Sequence, residues 1–310
     1  MSSVYEVVLY SLLFAKFCIL KFIQNNWIVA VKISTVDYRS ATAPQDFALS
    51  LKETGFGILT NHPISWAKIE KVYAEWDHFF KSAAKWDYPI NVETQDGYVS
   101  TEIAEKAKGA SVKDIKEFYN LYFPWGRYPK EITELTRTLF DEMFVLGRTL
   151  TDWLEAFMPD AARQKLSEPL SKMLSMEKTL FRVIHYPGLK GGEEAGAIRA
   201  AAHEDINLIT LLPAATEPGL QVVGADGQWM DVSPDPKSLI INIGDMLQEA
   251  TGHFYKSTTH RVLNPAGADM SKSRYSMPLF LHPRSDVRLS ARYTAESYLQ
   301  ERLREVGLIK

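Results

Sequence analysis

Residues 201–212 read AAHEDINLITLL, an apolar run that holds His203 and Asp205 two positions apart. Side chains two residues apart on a β-strand project from the same face. The imidazole and the carboxylate are therefore predicted to lie together, while Glu204 points away. One imidazole and one carboxylate supply half of a metal site, so this segment predicts a strand that carries two metal ligands.

The missing ligand is predicted to be His260, in the string STTHRVLN at residues 257–264. Two histidines and one carboxylate leave about three coordination positions open, the arrangement of non-heme Fe(II) oxygenases. Catalytic zinc sites use the same residue types, but they more often carry the helical string HExxH, which is absent from this sequence. Iron is the favoured metal, and a zinc hydrolase stays open as an alternative.

The string SRYSMPLFLHP at residues 273–283 adds a candidate anion site. Arg274 and Ser276 are again two positions apart, so a guanidinium and a hydroxyl are predicted to share one face of a strand. Arginine binds a carboxylate through two parallel hydrogen bonds, and a hydroxyl supplies a further donor. A dicarboxylate co-substrate needs such a site at its distal end while its 2-oxo acid end chelates iron.

The surrounding pattern divides the chain into a helix-rich first half and a strand-rich second half. The predicted helices are 44–54, a helix after Ser65, 129–158, 161–173 and a helix after Thr294, with a loop at 91–116. The predicted strands are 31–33, 55–60, 180–186, 203–212, 219–223, 229–232, 239–243, 258–263 and 275–281. Many short strands separated by turns favour a sandwich or barrel. An apolar interior around the metal is expected from Leu208, Leu211, Ile241, Ile243 and Leu279.

Composition narrows the class of protein. Of the 310 residues, 46% are hydrophobic and 24% charged, as in an ordinary globular protein. The formal charge of −3 provides no concentrated positive field for nucleic acid. The single cysteine, Cys18, cannot form an intramolecular disulfide, which favours the cytoplasm.

Residues 1–30 form an atypical apolar extension. The run VVLYSLLFAKFCIL at residues 7–20 contains Lys16 and is shorter than the roughly 20 apolar residues of a spanning helix. No membrane span is therefore expected. An added helix or an upstream start, a membrane-surface anchor and a targeting signal are the three interpretations of this segment.

From about Val31 onward, the chain resembles the isopenicillin N synthase-like branch of the Fe(II)/2-oxoglutarate-dependent dioxygenases. The strings that carry the resemblance are GFGILTNHPIS, WDHFF, GYVS, KEFYNLYF, FRVIHYPGL, AAHEDINLITLL, GLQVVGADGQWMDVSP, INIGDMLQEATGHFYKSTTHRVLNP and RYSMPLFLHP. They occur in the family's order over most of the chain.

The resemblance implies an α+β protein with a mainly β core: a double-stranded β-helix, or jelly roll, with a helical N-terminal subdomain. The expected divisions are 1–30, the extension; 31–175, the helical subdomain; 176–290, the oxygenase core; and 291–310, a C-terminal helix. It implies Fe(II) ligation by His203, Asp205 and His260. It further implies 2-oxoglutarate binding by Arg274 and Ser276, with Tyr186 as an extra donor.

Candidate substrate-binding residues are weaker signals. In the related family, the segment that contains Tyr98, Phe118 and Tyr119 faces the substrate. Arg199, just before the HxD segment, is interpreted either as a residue that binds an acidic substrate or as a solvated or paired arginine. No catalytic residue is predicted beyond the metal ligands.

The predicted function is Fe(II)-, 2-oxoglutarate- and O₂-dependent oxidation of a small molecule by hydroxylation, desaturation or cyclisation, with release of succinate and CO₂. One alternative is an iron oxidase that does not use 2-oxoglutarate and binds a substrate carboxylate with Arg274 and Ser276. A non-catalytic metal or metabolite sensor is the alternative from a different class. The sequence pattern makes no prediction of oligomeric state.

Overall fold

A computed structural model describes residues 32–103, 113–232 and 235–305. The elements below all belong to one compact unit within residues 33–310. The predicted apolar extension at 1–30 lies outside the described residues. Within the described ranges, no helix is long and apolar enough to cross a membrane.

The helices and strands are numbered in chain order. The α-helices are α1 Ala43–Thr54, α2 Trp66–Lys81, α3 Leu135–Ala156, α4 Asp160–Arg163, α5 Leu170–Met173, α6 Asp245–Ala250 and α7 Ala295–Glu305. The strands are β1 Thr35–Asp37, β2 Phe56–Thr60, β3 Gly97–Val99, β4 Glu117–Tyr122, β5 Leu180–Tyr186, β6 Ala200–His203, β7 Ile209–Pro213, β8 Leu220–Val223, β9 Trp229–Asp231, β10 Leu239–Ile243, β11 His260–Val262, β12 Arg274–Ser276 and β13 Leu279–Leu281.

The described strands form two sheets. The large sheet has the order β1-β2-β10-β7-β13-β5-β4-β3, with β12 paired to β5, and the small sheet has the order β6-β11-β8-β9. Strands β1 and β2 are parallel, and the other pairs are antiparallel. The first half of the chain therefore adds strands to both ends of a sheet whose centre comes from the second half.

Two apolar cores lie on opposite faces of the large sheet. The helix-side core packs α1, α2 and α3 against the sheet and includes Phe47, Leu51, Trp76, Phe79, Phe80, Leu139, Met143 and Leu150. The interior core joins residues of both sheets and includes Phe56, Phe118, Ile184, Tyr186, Ala200, Leu220, Val222, Ile240 and Val262. The interior core is the one that surrounds the predicted metal ligands.

The apolar ladder expected around the metal lies on the other face of the sheet. All five of its residues belong to the helix-side core: Leu208, Leu211, Ile241, Ile243 and Leu279. Alternation explains the error, because Asn242 points toward the metal ligands and its neighbours Ile241 and Ile243 must then point away. A fully apolar strand does not reveal which face meets the helices.

The segment predicted as one strand at 203–212 is two strands in different sheets. Strand β6 ends at His203, and β7 begins at Ile209 in the large sheet. Between them, the Asn207 side chain donates to the Ile209 carbonyl at 2.7 Å, a local bond that competes with strand pairing. Asp205 therefore lies in the crossing between the sheets, and strand alternation does not position it.

Other element predictions are confirmed or corrected. Strands 180–186 and 239–243 have the expected bounds. The strand expected at 31–33 is instead β1 at 35–37, the loop at 91–116 contains β3, and the helices at 129–158 and 161–173 reduce to α3 and to two single turns. Proline at 278 divides the strand expected at 275–281, since proline lacks the N–H that a strand ladder needs.

Gly55 connects α1 to the neighbourhood of the site. It ends α1 with φ 74°, and a Cβ atom there would lie 2.2 Å from the Thr258 hydroxyl oxygen. Only glycine fits this position, because the backbone is left-handed and the space is filled. Thr258 in turn donates to the Thr54 carbonyl at 2.9 Å, which holds the chain just before His260.

Candidate metal centre

Neighbouring strands of the small sheet bring the two histidines together. His203 at the end of β6 lies directly opposite His260 at the start of β11, and their ring centroids are 4.3 Å apart. Asp205 Oδ1 lies 3.9 Å from His203 Nε2 and 3.8 Å from His260 Nε2. A metal bound at about 2.1 Å from each ligand atom spans up to ~4.2 Å between ligands, so both distances suit one ion, and the three ligand atoms lie within 4.8 Å of one another.

Hydrogen bonds to the main chain orient both imidazoles. His203 Nδ1 lies 2.7 Å from the Ala201 carbonyl oxygen, and His260 Nδ1 lies 3.2 Å from the Thr258 carbonyl oxygen. A carbonyl only accepts, so in the neutral form of each ring Nδ1 carries the proton and Nε2 has the lone pair. Both Nε2 atoms therefore face Asp205 in the form that binds metal.

Asp205 is held by a cross-strand pair of polar residues. Thr210 on β7 lies opposite Asn242 on β10, and they donate to Asp205 Oδ2 at 2.6 and 2.8 Å. The Asp205 main-chain carbonyl also accepts from the Asp245 amide at 2.7 Å, at the start of α6. Oδ2 is thus occupied, and Oδ1 is left toward the histidines.

The pKa values favour the metal-binding forms of these groups. Burial raises the pKa of Asp205, but attraction to His260 and His203 and the bonds from Asn242 and Thr210 hold it below its ordinary value. Removal from water and then the nearby His260 lower the pKa of His203 to about 4, against the attraction of Asp205. A carboxylate and a neutral imidazole are therefore the forms at neutral pH.

The cluster is open on one side. The His203 side chain is 38% exposed, whereas those of Asp205 and His260 are 6% and 10% exposed. On the closed side, the His260 ring meets Phe56 edge to face, with centroids 5.6 Å apart, and Val222 lies opposite His260 in the small sheet. An ion held here would thus face solvent beside His203 and apolar side chains elsewhere.

The expected anion site lies on the same interior face of the large sheet. Arg274 pairs with Tyr186 and Ser276 pairs with Ile184 across β12 and β5, and directly paired residues project from one face. The Arg274 guanidinium lies 5.0 Å from the Tyr186 ring centroid. The structure thus brings Arg274, Ser276 and Tyr186 together.

Arg274 carries an unused hydrogen-bond donor. It is 2% exposed, and its Nε donates to the Glu217 carbonyl at 2.9 Å. Its Nη1 is buried without a hydrogen-bond partner among the described residues. A buried charge needs a partner, so this arginine has the chemistry to bind an anion.

The three aromatic candidates for substrate binding do not share a face. Phe118 lies opposite Ile184 in the interior core. Tyr98 and Tyr119 pair with each other and belong to the helix-side core. The Tyr119 hydroxyl donates to the Arg127 carbonyl at 3.0 Å, and the Tyr98 hydroxyl donates to Glu117. Among the three, only Phe118 borders the metal-facing side.

Arg199 is neither solvated nor paired with a nearby acidic side chain. It is 1% exposed and donates through Nη2 to the Lys272 carbonyl at 2.7 Å. Its Nε has no hydrogen-bond partner in the part of the chain that the structure describes. The structure therefore places Arg199 deep in the protein, close to the start of β12.

Thr210 and Asn242 are functional neighbours that the sequence analysis did not identify. A signal for Asn242 was present, since the strand LIINI places one amide in a fully apolar run, and a buried amide requires partners. Thr210 carries no comparable signal, because threonine is common in ordinary strands.

Comparison with known proteins decides the family. Residues 178–283 match the model of the 2OG-Fe(II) oxygenase superfamily, and residues 33–138 match the N-terminal domain described as non-haem dioxygenase in morphine synthesis. Together the two models cover more than half of the chain. The chain belongs to the 2OG-Fe(II) oxygenase superfamily. The resemblance to its isopenicillin N synthase-like branch is confirmed.

Individual relatives agree with this family. Jasmonate-induced oxygenase 4 of Arabidopsis thaliana is 30% identical over 76% of this chain and 67% of its own length. A crystal structure of a Shewanella oneidensis protein assigned as an oxygenase is 52% identical, covers 90% of this chain and 100% of its own, and has a TM-score of 0.81. A full-length Neurospora crassa protein, crystallised in complex with alpha-KG, shares the fold at 23% identity, 89% and 97% coverage and a TM-score of 0.75.

This oxygenase therefore has the predicted double-stranded β-helix fold and uses Fe(II), 2-oxoglutarate and O₂. The residues present fit that chemistry: two imidazoles and a carboxylate suit Fe(II), and the free donor of buried Arg274 suits an anion. The alternatives of a 2-oxoglutarate-independent oxidase and a non-catalytic sensor are not favoured.

Proposed function

We propose that His203, Asp205 and His260 hold Fe(II) in this oxygenase, and that Arg274, Ser276 and Tyr186 bind the distal carboxylate of 2-oxoglutarate. The observation that carries the proposal is the pairing of a three-ligand cluster with a buried arginine whose donor is unused. Both groups border the interior core: Val222 lies opposite His260, and Tyr186 lies opposite Arg274.

The chain's own residues have three tasks in this proposal. His203 and His260 present Nε2 because their Nδ1 protons are bound by main-chain carbonyls. Thr210 and Asn242 occupy one oxygen of Asp205, so the other oxygen binds the metal. Second-sphere bonds of this kind orient ligands and strengthen metal binding.

Arg274 and Ser276 select and orient the co-substrate. Arg274 offers its Nη1 proton to a carboxylate, and the charge-assisted bond gains strength from burial. Tyr186 packs against the guanidinium and restricts its position. The bound Fe(II), with 2-oxoglutarate and O₂, supplies oxidative decarboxylation to succinate and CO₂ coupled to oxidation of a C–H bond.

A small molecule is the proposed primary substrate, oxidised by hydroxylation, desaturation or cyclisation. The open side of the cluster at His203 supports entry from solvent. Phe118, Ile184 and Val222 support an apolar environment that excludes water from the reacting carbon. The formal charge of −3 gives no support to a nucleic-acid substrate.

Two further expectations remain proposals. We propose the cytoplasm as the location, because the single Cys18 cannot form an intramolecular disulfide. We also propose divisions at about residues 30, 175 and 290, between an extension, a helical subdomain, an oxygenase core and a C-terminal helix. The matched ranges 33–138 and 178–283 support the division near 175.

The test is an anaerobic titration of 2-oxoglutarate into the Fe(II)-loaded full chain, followed by the weak visible charge-transfer band of the complex. We expect a saturable band whose Kd rises at least about tenfold in Arg274→Gln, since the variant loses a charged hydrogen bond. Arg284→Gln is the matched control, because Arg284 pairs with Glu168 on the surface.

Two results would contradict the proposal. An unchanged Kd in Arg274→Gln would mean that Arg274 does not bind the co-substrate. Iron binding without any band in the wild type would favour the oxidase that does not use 2-oxoglutarate.

A further inference from the structure

We propose that Arg199 is a second arginine for the distal carboxylate of 2-oxoglutarate, acting beside Arg274. The inference rests on the co-substrate site proposed above and goes beyond the Arg274–Ser276 pair. In this role Arg199 favours a 2-oxo dicarboxylate over a 2-oxo monocarboxylate and does not bind the primary substrate.

Neither of the two buried arginines has a carboxylate in direct contact among the described residues. Arg199 and Arg274 are 1% and 2% exposed, and arginine is almost never fully buried unless it is paired. Each donates to a main-chain carbonyl, of Lys272 and Glu217 respectively. Neither guanidinium forms an ion pair within 4.0 Å with a carboxylate of the described residues. Two buried guanidinium groups are therefore left without a carboxylate in direct contact.

Each of the two buried arginines also has a hydrogen-bond donor that is not used within the protein. Arg199 Nε and Arg274 Nη1 are both buried without a hydrogen-bond partner among the residues that the structure describes. A buried donor without a partner costs roughly 1–3 kcal/mol, and more when it is charged. A carboxylate has two oxygens with about four lone pairs, which are enough acceptors for both arginines.

Arg199 also lies close to Arg274. Arg199 is bonded to the carbonyl of Lys272, two residues before Arg274. Burial and then the nearby Arg274 lower the pKa of Arg199, while Tyr186 and Glu217 oppose the change. Arg199, Arg274 and Tyr186 thus form one buried cluster.

Burial also favours the co-substrate over the primary substrate as the anion. Arg199 is closed off from solvent, whereas the metal cluster opens at His203, whose side chain is 38% exposed. The primary substrate enters from the open side in the proposed function. In the proposed function, 2-oxoglutarate lies deeper than the primary substrate, and its distal carboxylate points away from the metal. 2-Oxoglutarate is therefore the ligand that fits the closed arginine cluster.

The experiment compares two ligands on the Fe(II)-loaded full chain under anaerobic conditions. 2-Oxoglutarate carries the distal carboxylate, and 2-oxopentanoate has a methyl group in its place. Their Kd values are measured by calorimetry for the wild type, Arg199→Gln, Arg199→Lys, Arg274→Gln and the surface control Arg284→Gln. Thermal unfolding of each ligand-free variant reports on folding.

We expect Arg199→Gln to raise the Kd of 2-oxoglutarate at least about tenfold and to change that of 2-oxopentanoate less than about twofold. Arg199→Lys keeps the charge but loses the forked donors, so about a threefold rise is expected. If Arg199→Gln does not fold, Arg199→Lys carries the test with the same pair of ligands.

The outcomes separate this inference from the proposed function. A Kd of 2-oxoglutarate that stays at the wild-type value in the Arg199 variants, while Arg274→Gln binds it weakly, overturns the inference alone. An equal loss of both ligands in the Arg199 variants also overturns it and leaves Arg199 a structural role. Failure of the wild type to bind 2-oxoglutarate overturns the proposed function itself.

Discussion

Strands β4, β5 and β12 carry a buried polar cluster on each face, and the two clusters differ in how their charges are compensated. On the helix side, Glu117, His185 and Tyr275 form one cross-strand row. On the interior side, Tyr186 pairs with Arg274. The two rows are one residue apart along β5, yet only the helix-side cluster has a carboxylate in direct contact with its cation.

The charged groups of the helix-side cluster have their partners within the protein. The Glu117 carboxylate contacts His185 Nδ1 at 2.6 Å and Lys85 Nζ at 2.9 Å, and it accepts from the Tyr98 hydroxyl. His185 Nε2 lies 3.0 Å from the Ser273 hydroxyl, and its ring stacks on Tyr275 with centroids 4.6 Å apart. The cation and the anion of this cluster are both satisfied.

The interior cluster has two cations and, among the described residues, no carboxylate within 4.0 Å of either guanidinium. Arg274 and Arg199 are each bonded to a main-chain carbonyl, and each keeps a free buried donor. A buried charge with its partner in the chain supports folding, whereas a buried charge that lacks one indicates a ligand.

The largest expected effect is a loss of activity in a protein that still folds, caused by a change at the metal cluster on the interior side. Replacing His260 with alanine removes one of the ligand atoms of the cluster. We expect Fe(II)-dependent turnover of 2-oxoglutarate to fall at least about a hundredfold, because even groups that only orient ligands cost 10–100-fold. Succinate release measures the effect, and thermal unfolding tests whether the fold is kept.

His260→Gln serves as the second variant, since it fills more of the space left by the ring. Wild-type turnover in either folded variant would remove His260 from the metal site. The interior side would then no longer be distinguished from the helix side by a metal site at His260.

The second largest effect is expected on the helix side, where stability should fall while binding of 2-oxoglutarate is unchanged. Replacing Glu117 with alanine leaves Lys85 without its carboxylate in a largely buried site. The free energy of unfolding is expected to fall by about 3 kcal/mol, the cost of breaking a buried ion pair. Urea denaturation measures this loss, and the Kd of 2-oxoglutarate should stay unchanged.

Glu142→Ala is the matched control, because Glu142 pairs with Lys68 but is 40% exposed. Exposed ion pairs contribute about 0–1 kcal/mol. An equal loss in both variants, or weaker 2-oxoglutarate binding in Glu117→Ala, would abolish the distinction between the two faces.

The smallest effect is a pH dependence of the helix-side cluster. Burial raises the pKa of Glu117, but the hydrogen bonds from His185, Tyr98 and Lys85 hold it below the ordinary value of 4.5. A lowered pKa stabilises the fold at pH values above 4.5, and this stabilisation is lost as the pH falls through the lowered value.

We therefore expect the difference in unfolding free energy between the wild type and Glu117→Gln to shrink by about 1 kcal/mol between about pH 6 and about pH 4. Urea denaturation across this range measures it. If this difference in unfolding free energy instead grows as the pH falls, folding does not lower the pKa of Glu117.

Much of the candidate site was predictable where residues lie on one short strand. Arg274 and Ser276 do share a face of β12, as alternation requires. His203 and His260 were identifiable from residue type and spacing, and they lie opposite each other. Asp205 reaches the cluster for another reason, because the chain crosses between sheets after His203 and the side chains of Thr210 and Asn242 hold the carboxylate.

The sequence by itself determined the ligand types, the order of the motifs and the family, because metal and carboxylate chemistry depend on residue identity and local spacing. Only the tertiary structure decided which face of each strand meets the helices and which buried charges have partners. Leu211, Ile241 and Arg199 show why: their environments depend on strands and loops distant in sequence. Pairing between distant segments has no local periodicity, so it is visible only in the folded chain.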